Sequence, residues 1–508
     1  MWRRIGDLPL LVLLIGIAAV AMLIPALFGW SVGDLGPARD FLFGAAIFAV
    51  VFILMGFATA SYSPRRRSVG HLASLVLAYV LLPLVLAVPF AEAVPDTRYL
   101  NAYVEMVSAL TTTGATLFDQ PERLPDTVHL WRALVGWLGG FLIWVTAAAI
   151  LAPLKLGGFE VRAAGQSDDH NKWQSALQNI EGAETSHRMR RYALRLAPVY
   201  GALTLVLWII LMVAGDRPLV AVTHAMSTLA TSGISAISGP SEAGSGGIGE
   251  LAIFAFLFFA ITRLTFSRDV LGGDAAQLIR DPELRMGLAV VALVPVGLFL
   301  RHWVGALEVD AAGDLQTASA ALWGGVFTVM SFLTTTGFES ASWGAARNWS
   351  GLATPGLILM GLALVGGGVA TTAGGVKLLR VYALYKHGVR EMERLAIPAS
   401  VGGDGQIARR MRRNGAYYAW IFFMLFAMSI AVVMLALSLS GLEFEPALVL
   451  TIASLSTTGP LANIATEAPI SYALLSPWAK AILSAAMILG RLETLALIAL
   501  LNPDYWRS

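Results

Sequence analysis

Cysteine is absent from this 508-residue chain, and charged side chains are scarce. Without cysteine there is no disulfide framework, no thiolate nucleophile and no cysteine-ligated metal site. Charged residues make up 13% of the chain, against about 25% in soluble proteins. The formal net charge of +2 gives no indication of a nucleic-acid partner. Hydrophobic residues make up 57% of the chain and the mean hydropathy is +0.70, so the sequence predicts a protein of the lipid bilayer.

Ten apolar segments are long enough to cross the hydrocarbon core, which takes about 20 residues. They lie at 9–29, 40–60, 71–91, 131–153, 192–214, 248–267, 286–304, 351–388 (interrupted), 415–440 and 476–501. The first exceeds the roughly 7–15 apolar residues of a signal peptide and has no clear small-residue cleavage site, so we expect it to remain as a helix. Lys and Arg concentrate in alternate connections, which predicts cytosolic N- and C-termini.

Four short polar runs each follow an apolar stretch of about 12 residues. The sequences are "YVEMVSALTTTGAT", "VTHAMSTLATSGIS", "VFTVMSFLTTTGFE" and "LVLTIASLSTTGPL", with glycines at Gly114, Gly233, Gly337 and Gly459. The glycines are 119, 104 and 122 residues apart, a spacing unlike that of solenoid repeats. It indicates a fourfold internal duplication of helix, re-entrant half-helix, polar loop and helix.

The predicted fold is an all-α membrane protein with four pseudo-symmetric repeats around one ion pore. Two extra transmembrane helices occupy 1–69. The first repeat is 70–160, a cytosolic loop with the second repeat is 161–283, the third repeat is 284–395, and the fourth is 396–508.

A 12-residue helix cannot cross the bilayer, but it can enter and return. Non-helical backbone is tolerated at that depth only where protein buries it or where it lines an aqueous cavity. Glycine accepts positive φ angles, so a threonine–glycine run can turn its carbonyl oxygens inward and replace the water shell of a cation. The partly negative C-terminal end of each half-helix favours a cation as well. One such run alone is more typical of an exposed turn or a helix C-cap, whereas four copies favour an ion filter.

The segment "VGGGVATTAGGVK", Val365 to Lys377, has five glycines within ten positions. Glycine costs about 1 kcal/mol relative to alanine inside a helix, so a straight helix is disfavoured here. One interpretation is a small-residue packing face between helices. The preferred one is an unwound segment that lies across the pore beneath the filter, with Thr371 and Thr372 presenting hydroxyls to water.

Arg491 lies near the middle of the last apolar stretch. A charge at that depth is costly unless it faces a cavity or a partner. Glu493 is a poor partner because residues two apart do not share a helix face. Glu493 is interpreted as structural, and Lys377 is either its partner or another anchor of the Gly-rich segment. One interpretation of Arg491 is a buried structural salt bridge, and the other places its guanidinium in the pore near the Gly-rich segment as a fixed positive barrier.

The chain resembles the Trk/Ktr/HKT superfamily of potassium transporters, and most closely the bacterial Trk membrane subunits. The likeness is carried by the four runs and by "LWRALVGWLGGFLIW", "GGGVATTAGGVKLLR" and "ILGRLETLALIALLNPDYWR", and it covers nearly the whole chain. The two extra N-terminal helices match the Trk branch. The resemblance implies potassium uptake across the cell inner (plasma) membrane, with K⁺ as the transported ion and no organic cofactor in this chain.

Carried over to this sequence, the resemblance assigns a potassium filter and a gate. The implied filter residues are Thr111, Thr112, Thr113, Gly114, Ala230, Thr231, Ser232, Gly233, Thr334, Thr335, Thr336, Gly337, Ser456, Thr457, Thr458 and Gly459. The implied gating residues are Gly366, Gly367, Gly368, Thr371, Thr372, Gly374, Gly375, Lys377 and Arg491. The sequence departs from the family pattern at Ser232, where glycine is typical, and in the fourth run, where asparagine is common.

The resemblance also implies a homodimer with one pore in each protomer. A cytosolic nucleotide-binding ring of the Trk/Ktr type would regulate it, with ATP or NAD bound to that partner. In this chain "GSGGIG", 244–249, formally matches a dinucleotide fingerprint, but no strand precedes it, so it is not interpreted as one. Arginines within 409–413 are expected to contact anionic lipid or, alternatively, the cytosolic regulator.

Three alternatives stay open on the residues themselves. A less selective K⁺/Na⁺ pore would use the same loops. A secondary transporter for another solute would typically have two inverted repeats with midplane sites, and an intramembrane enzyme would need clustered acid, base or nucleophilic side chains. The chain has no H-E-x-x-H pair and no G-x-S-x-G elbow, and we predict no enzymatic activity. Asp119 and Glu339, which follow the first and third runs, either concentrate cations or are solvated surface carboxylates, and His224 is expected to be a packed histidine.

Overall fold

The computed structural model describes residues 8–59, 68–151, 185–261, 281–305, 315–352, 354–397, 415–466 and 468–492, and within these ranges every regular element is helical. The α-helices are α1 (Leu10–Ala21), α2 (Leu23–Val32), α3 (Leu35–Thr59), α4 (Ser68–Ala93), α5 (Tyr99–Leu110), α6 (Asp126–Thr146), α7 (Thr185–Ala214), α8 (Pro218–Ala230), α9 (Gly246–Leu257), α10 (Pro282–Gly305), α11 (Leu315–Leu333), α12 (Trp343–Ser350), α13 (Gly356–Val365), α14 (Leu378–Ala396), α15 (Ala416–Leu439), α16 (Phe444–Leu455), α17 (Leu461–Ile464) and α18 (Pro477–Leu492). Short 3₁₀ turns occupy Pro121–Arg123, Pro240–Glu242 and Phe258–Ala260, and a π-turn at Ala147–Leu151 extends α6.

Seven helical spans in the described ranges are long and apolar enough to cross a membrane. They are Leu10–Val32, Leu35–Thr59, Leu72–Ala93, Asp126–Leu151, Arg188–Ala214, Pro282–Arg301 and Ala416–Leu439. They correspond to seven of the ten predicted segments.

The other three predicted segments have shorter described helices. The segment at 248–267 is helical from Gly246 to Ala260, and the segment at 476–501 is described as α18, which ends at Leu492. The segment at 351–388, predicted to be interrupted, is divided between α13 and α14 by an irregular stretch.

Two helix lengths differ from the prediction. The first segment, predicted as one helix, divides at Met22, where the helix changes from α1 to α2; Pro25 in the first turn of α2 has no N–H for the bond to the preceding turn. The stretches before the first, second and fourth polar runs are helices of 12, 13 and 12 residues. The stretch before the third run, α11, has 19 residues rather than about 12, because the alanine-rich residues 315–322 that precede the apolar stretch favour a helix as well.

The helices that precede the polar runs, which we call the pore helices (α5, α8, α11 and α16), belong to a closed ring of packed helices. After each of the first three runs, the next apolar helix packs against the following pore helix: α6 against α8, α9 against α11, and α13 against α16. The last helix, α18, returns to pack against α5. Because this order closes on itself, the C-terminal ends of the pore helices and the runs that follow them are brought together.

Helices α1 to α3 lie outside this ring. They pack on one another and on α4, and α2 also packs on α6. Phe41 of α3 meets Trp131 of α6 edge to face, with ring centroids 5.4 Å apart.

Candidate ion filter and the loop beneath it

Each of the four polar runs, which we call the filter loops, leaves its pore helix through the same backbone conformation. The second residue of each loop has a left-handed φ: 53° at Thr112, 49° at Thr231, 57° at Thr335 and 55° at Thr457. A β-branched residue rarely adopts this conformation, so the surrounding structure must hold it there. The second of the four loops thus has the same turn as the others despite its "ATSG" sequence.

The glycine of the loop has a left-handed φ in three cases. The angles are 71° at Gly114, 66° at Gly233 and 83° at Gly337, whereas Gly459 lies outside the left-handed region. The fourth loop therefore departs from the first and third in its backbone, although its sequence resembles theirs. Pro460, which follows directly, disfavours the helical region for Gly459 and fixes its own φ at −59°.

Close packing between glycines and neighbouring carbonyls joins the first three loops. A Cβ atom added to Gly114 would overlap the carbonyl oxygen of Ser232 in the second loop. One added to Gly233 would overlap the carbonyl oxygen of Thr336 in the third loop. Only glycine permits these approaches, so the two residues are required for the packing between loops as well as for their φ angles.

The fourth loop closes the ring. Its Pro460 ring lies 2.9 Å from the position that a Cβ would take on Gly337, and a Cβ on Gly459 would overlap the backbone of Ala115. The Gly459 N–H donates a hydrogen bond of 2.6 Å to the carbonyl oxygen of Thr113 in the first loop. The four predicted filter segments are therefore in mutual contact.

Hydroxyl groups at the first and third positions of the first, third and fourth loops bond within their own loop. The Oγ1 atoms of Thr111 and Thr113 lie 2.8 Å apart, and those of Thr334 and Thr336 lie 3.1 Å apart. Ser456 Oγ donates to Thr458 Oγ1 at 3.2 Å in the fourth loop. These bonds stiffen the loop locally and occupy side chains that would otherwise compete with the backbone carbonyls.

The second position is different. Thr112 Oγ1 and Thr457 Oγ1 are buried, and neither has a hydrogen-bond partner among the described residues. A buried hydroxyl without a partner is costly, so each is a candidate contact for a bound ion or water.

The Gly-rich segment, Gly366 to Lys377, leaves α13 and returns to it. The N–H groups of Val376 and Lys377 donate 2.9 Å bonds to carbonyl oxygens at the end of α13. Positive φ angles at Gly366 (73°), Gly375 (76°) and Lys377 (85°) turn the chain. At its base, the N–H of Gly368 donates to the carbonyl of Ala260 at 3.0 Å, and Thr371 Oγ1 donates to Gly368 at 2.8 Å.

The tip of this segment contacts the third and fourth filter loops and the second pore helix. The Gly374 N–H donates a 2.7 Å bond to Thr335 Oγ1 of the third loop, and a Cβ on Gly374 would overlap the Ser456 carbonyl of the fourth. Thr372 Oγ1 donates a 3.1 Å bond to Leu229 at the end of the second pore helix. The segment therefore lies directly against the filter loops.

Arg491 is 4% exposed, and its Nη1 donates a 2.6 Å bond to the carbonyl oxygen of Thr372. Lys377 directs its Nζ to the carbonyl oxygen of Ala373 within the same segment. Glu493, considered above as a partner for Lys377, lies outside the described residues, as do the arginines of 409–413.

Sequence reasoning missed several buried polar groups that support the loops. Glu283 Oε1 accepts a 2.8 Å bond from the N–H of Val369 in the Gly-rich segment. Glu250 accepts bonds from Ser340 Oγ at 2.7 Å and the Ala341 N–H at 2.6 Å, just after the third loop. For Glu250 the available signal was a carboxylate inside an apolar helix, whereas Glu283 lies in the first turn of α10 and gives no such signal.

The two carboxylates that follow the filter loops differ in environment. Asp119 accepts a 2.6 Å bond from Ser471 Oγ at an exposed position. Glu339 is partly buried in the loop between α11 and α12, and this burial raises the pKa of its carboxyl group.

An all-helical membrane protein in which four Thr/Ser–Gly loops converge is of the membrane transport class. The chain belongs to the TrkH family of cation transport proteins, whose family model matches residues 83–241 and 253–506. This is a family of transport proteins rather than of enzymes.

Individual relatives agree with this assignment. The Trk system potassium uptake protein TrkH of Salmonella typhimurium is 30% identical over 479 residues, which are 92% of this chain and 93% of that protein; its Escherichia coli K12 counterpart gives the same values. The crystal structure of the potassium transporter TrkH from Vibrio parahaemolyticus matches with a TM-score of 0.80 and 25% identity over all of both chains. These findings confirm the predicted family and the all-α membrane fold.

Proposed function

We propose that this protein takes up potassium across the cell inner membrane through a selective filter made by the four loops. The observation that carries the proposal is the closed ring of contacts from Gly114 through Gly233 and Gly337 to Gly459. The names of the relatives supply the ion, since they are called potassium uptake proteins and a potassium transporter. K⁺ is the cargo, and the proposal requires no organic cofactor.

The physical basis is replacement of the ion's water shell. Four pore helices point the partly negative ends of their dipoles at the ring, which favours a cation there. Backbone carbonyls of the filter loops then act as ligands. The hydroxyls of Thr112 and Thr457, which have no hydrogen-bond partner among the described residues, add two further ligands at the second position of their loops.

The proposed gate is the Gly-rich segment with Arg491. The segment is held against the filter by bonds from Gly374 and Thr372, and the buried guanidinium secures the Thr372 carbonyl. These contacts with the third and fourth filter loops and the second pore helix support a segment that blocks the pore and must withdraw before ions pass. Arg491 in addition places a positive charge beside the conduction path, which discourages cations while the segment is in place.

The finer organisation follows the family resemblance. We propose four repeats, at 70–160, 161–283, 284–395 and 396–508, after the first two helices. The termini are cytosolic, the protein is a homodimer, and a cytosolic ring that binds ATP or NAD controls the gate. The arginine-rich connections on one predicted side support this orientation.

A less selective K⁺/Na⁺ pore is the second candidate. It is favoured by Ser232, which stands where the family typically has glycine, and by Gly459, whose backbone differs from that of the other three filter glycines. An asymmetric ring holds its carbonyls less uniformly than four equivalent loops would.

The test is uptake of ⁸⁶Rb⁺ into proteoliposomes that hold the purified protein, competed with K⁺ or Na⁺. We expect K⁺ to compete and Na⁺ to compete poorly in the wild type. Gly114→Ser should weaken this discrimination, because the added side chain overlaps Ser232, while Gly361→Ala, which adds a Cβ in open space, should not.

Because a closed gate also abolishes flux, both variants are repeated in a protein that lacks residues 370–373 of the Gly-rich segment. Equal competition by Na⁺ and K⁺ in the wild type would contradict potassium selectivity and favour the second candidate. Absence of ⁸⁶Rb⁺ uptake in the protein that lacks residues 370–373 would contradict the proposal that ions pass through the four loops.

A further inference from the structure

Glu105 and Arg132 form an ion pair that is buried behind the first filter loop. Arg132 Nη2 lies 2.6 Å from Glu105 Oε1, and the two side chains are only 6% and 1% exposed. Glu105 belongs to the pore helix α5 and Arg132 to the following helix α6. The pair therefore ties together the two helices between which the first loop is suspended.

The same carboxylate is bonded to the loop itself. Glu105 Oε2 accepts a 3.0 Å hydrogen bond from the N–H of Leu117, three residues after Gly114. One carboxylate thus holds the guanidinium with one oxygen and the loop segment that follows Gly114 with the other. Charge-assisted bonds of this kind are stronger than neutral ones, so they fix this segment more firmly.

The residues equivalent to Glu105 in the other three pore helices differ from it in charge. Nine residues before the four filter glycines stand Glu105, His224, Thr328 and Leu450. His224 Nε2 lies 2.7 Å from Ser235 Oγ, and Thr328 Oγ1 accepts a 3.4 Å bond from Ser340. Leu450 has no polar side-chain atom. Of the four, only the first position carries a charge.

The first loop also transmits its position to both neighbours. Its Gly114 packs on the Ser232 carbonyl of the second loop, and its Thr113 carbonyl accepts the N–H of Gly459 from the fourth. A displacement of the first loop must therefore disturb the carbonyls on either side.

We propose that the Glu105–Arg132 pair positions the first filter loop and thereby determines how well the filter discriminates between potassium and sodium. The inference deepens the proposed function and rests on it. Both are positioning residues, since the ion does not touch them. A buried ion pair adds little net stability over well-packed apolar residues, so its effect is expected on ion discrimination more than on folding.

The experiment compares Glu105→Gln, Arg132→Lys and the double variant Glu105→Gln/Arg132→Met. Glutamine keeps an acceptor for Leu117 but loses the ion pair, and lysine keeps the charge but loses the planar fork of donors. The double variant removes both charges, so it leaves no buried charge unpaired and is expected to fold if either single variant does not. Leu450→Met is the matched control, a volume-conserving change at the equivalent position of the fourth loop.

The readout is the Na⁺ concentration that halves ⁸⁶Rb⁺ uptake divided by the K⁺ concentration that does so, in protein with an unchanged thermal midpoint and elution volume. Loss of a residue that orients metal ligands typically weakens metal affinity by 10–100-fold, so we expect Glu105→Gln and the double variant to lower the ratio by about tenfold. Arg132→Lys should lie in between and Leu450→Met should match the wild type.

Wild-type discrimination in Glu105→Gln or in the double variant would overturn the inference and leave the proposed filter intact. An equal loss in Leu450→Met would also overturn it, because any disturbance of a pore helix would then have the same effect. Absence of discrimination in the wild type would instead overturn the proposed function, and this inference with it.

Discussion

Gly374→Ala is the sharpest test of the Gly-rich segment as a gate. Gly374 lies at the point where the segment meets the filter, and a Cβ there would overlap the Ser456 carbonyl oxygen and Thr457 Oγ1. Either the segment or the fourth loop has to move. The fourth loop is anchored through Gly459 to the first, whereas the segment is attached to the ring by a few hydrogen bonds.

The magnitude follows from the overlap and from those bonds. Overpacking a close contact costs about 1–3 kcal/mol. The 2.7 Å bond from Gly374 to Thr335 and the 3.1 Å bond from Thr372 to Leu229 are neutral, worth about 1 kcal/mol each. The free-energy cost of the overlap is therefore comparable with the free energy of these two hydrogen bonds. A shift of about 1–3 kcal/mol changes a two-state population by about 5–150-fold, and we expect the resting flux to rise within that range.

The assay is ⁸⁶Rb⁺ uptake by proteoliposomes that contain the chain without any cytosolic partner, with Na⁺ competition measured in parallel. Gly361→Ala is the control, because that residue lies one turn before the segment, in α13, and an added Cβ meets no atom within 4 Å. Alanine there removes a helix-interior glycine, which favours α13 by about 1 kcal/mol.

Two results would contradict a gate at Gly374. Wild-type flux in a correctly folded Gly374→Ala protein would mean that the segment does not obstruct the pore. Raised flux with lost potassium discrimination would mean that the fourth loop, rather than the segment, gives way.

Two further predictions concern charged groups. Arg491→Gln loses a charge-assisted bond to the Thr372 carbonyl, worth about 1.5–3 kcal/mol. Resting ⁸⁶Rb⁺ flux should therefore rise about 10- to 150-fold, and Arg491→Lys should give an intermediate flux. Unchanged flux in the glutamine variant would exclude Arg491 from the gate. Burial raises the pKa of Glu339, so this carboxylate takes up its proton at a higher pH than an exposed one. As the pH falls through that raised pKa, the negative charge is lost and the apparent affinity for K⁺ should fall, by roughly tenfold or less at low ionic strength. Glu339→Gln should show the low affinity at every pH, and an unaltered pH profile in that variant would remove Glu339 from the conduction path.

Hydropathy and spacing were sufficient for the fold class. Composition and long apolar runs predict membrane helices without any knowledge of contacts, because each helix satisfies its own backbone hydrogen bonds. The four Thr/Ser–Gly runs were visible for a similar reason, since a polar stretch after a short apolar helix has few stable alternatives in a bilayer. The resemblance to the Trk/Ktr/HKT superfamily depended on local motifs, and the family match confirms it.

The lengths of individual helices and the backbone conformations of the loops were harder to predict from the sequence. The 19-residue length of α11 was missed because residues 315–322 lie outside the apolar stretch, although their alanines and leucines favour a helix. The conformation of Gly459 was also hidden, because the sequence of the fourth loop resembles the first and third while Pro460 and the contact with Ala115 impose a different backbone.

An all-α membrane protein with four filter-like runs and a glycine-rich break could be predicted from the amino-acid sequence, because those features depend on local composition. The contacts between distant groups, in contrast, depend on the packing of the helices. Arg491 reaches Thr372 across 119 residues, and Thr372 reaches Leu229 across 143. Glu105 finds both Arg132 on another helix and Leu117 beyond the filter. Such pairings depend on how the helices pack around the ring, and no local pattern of residues encodes that closure.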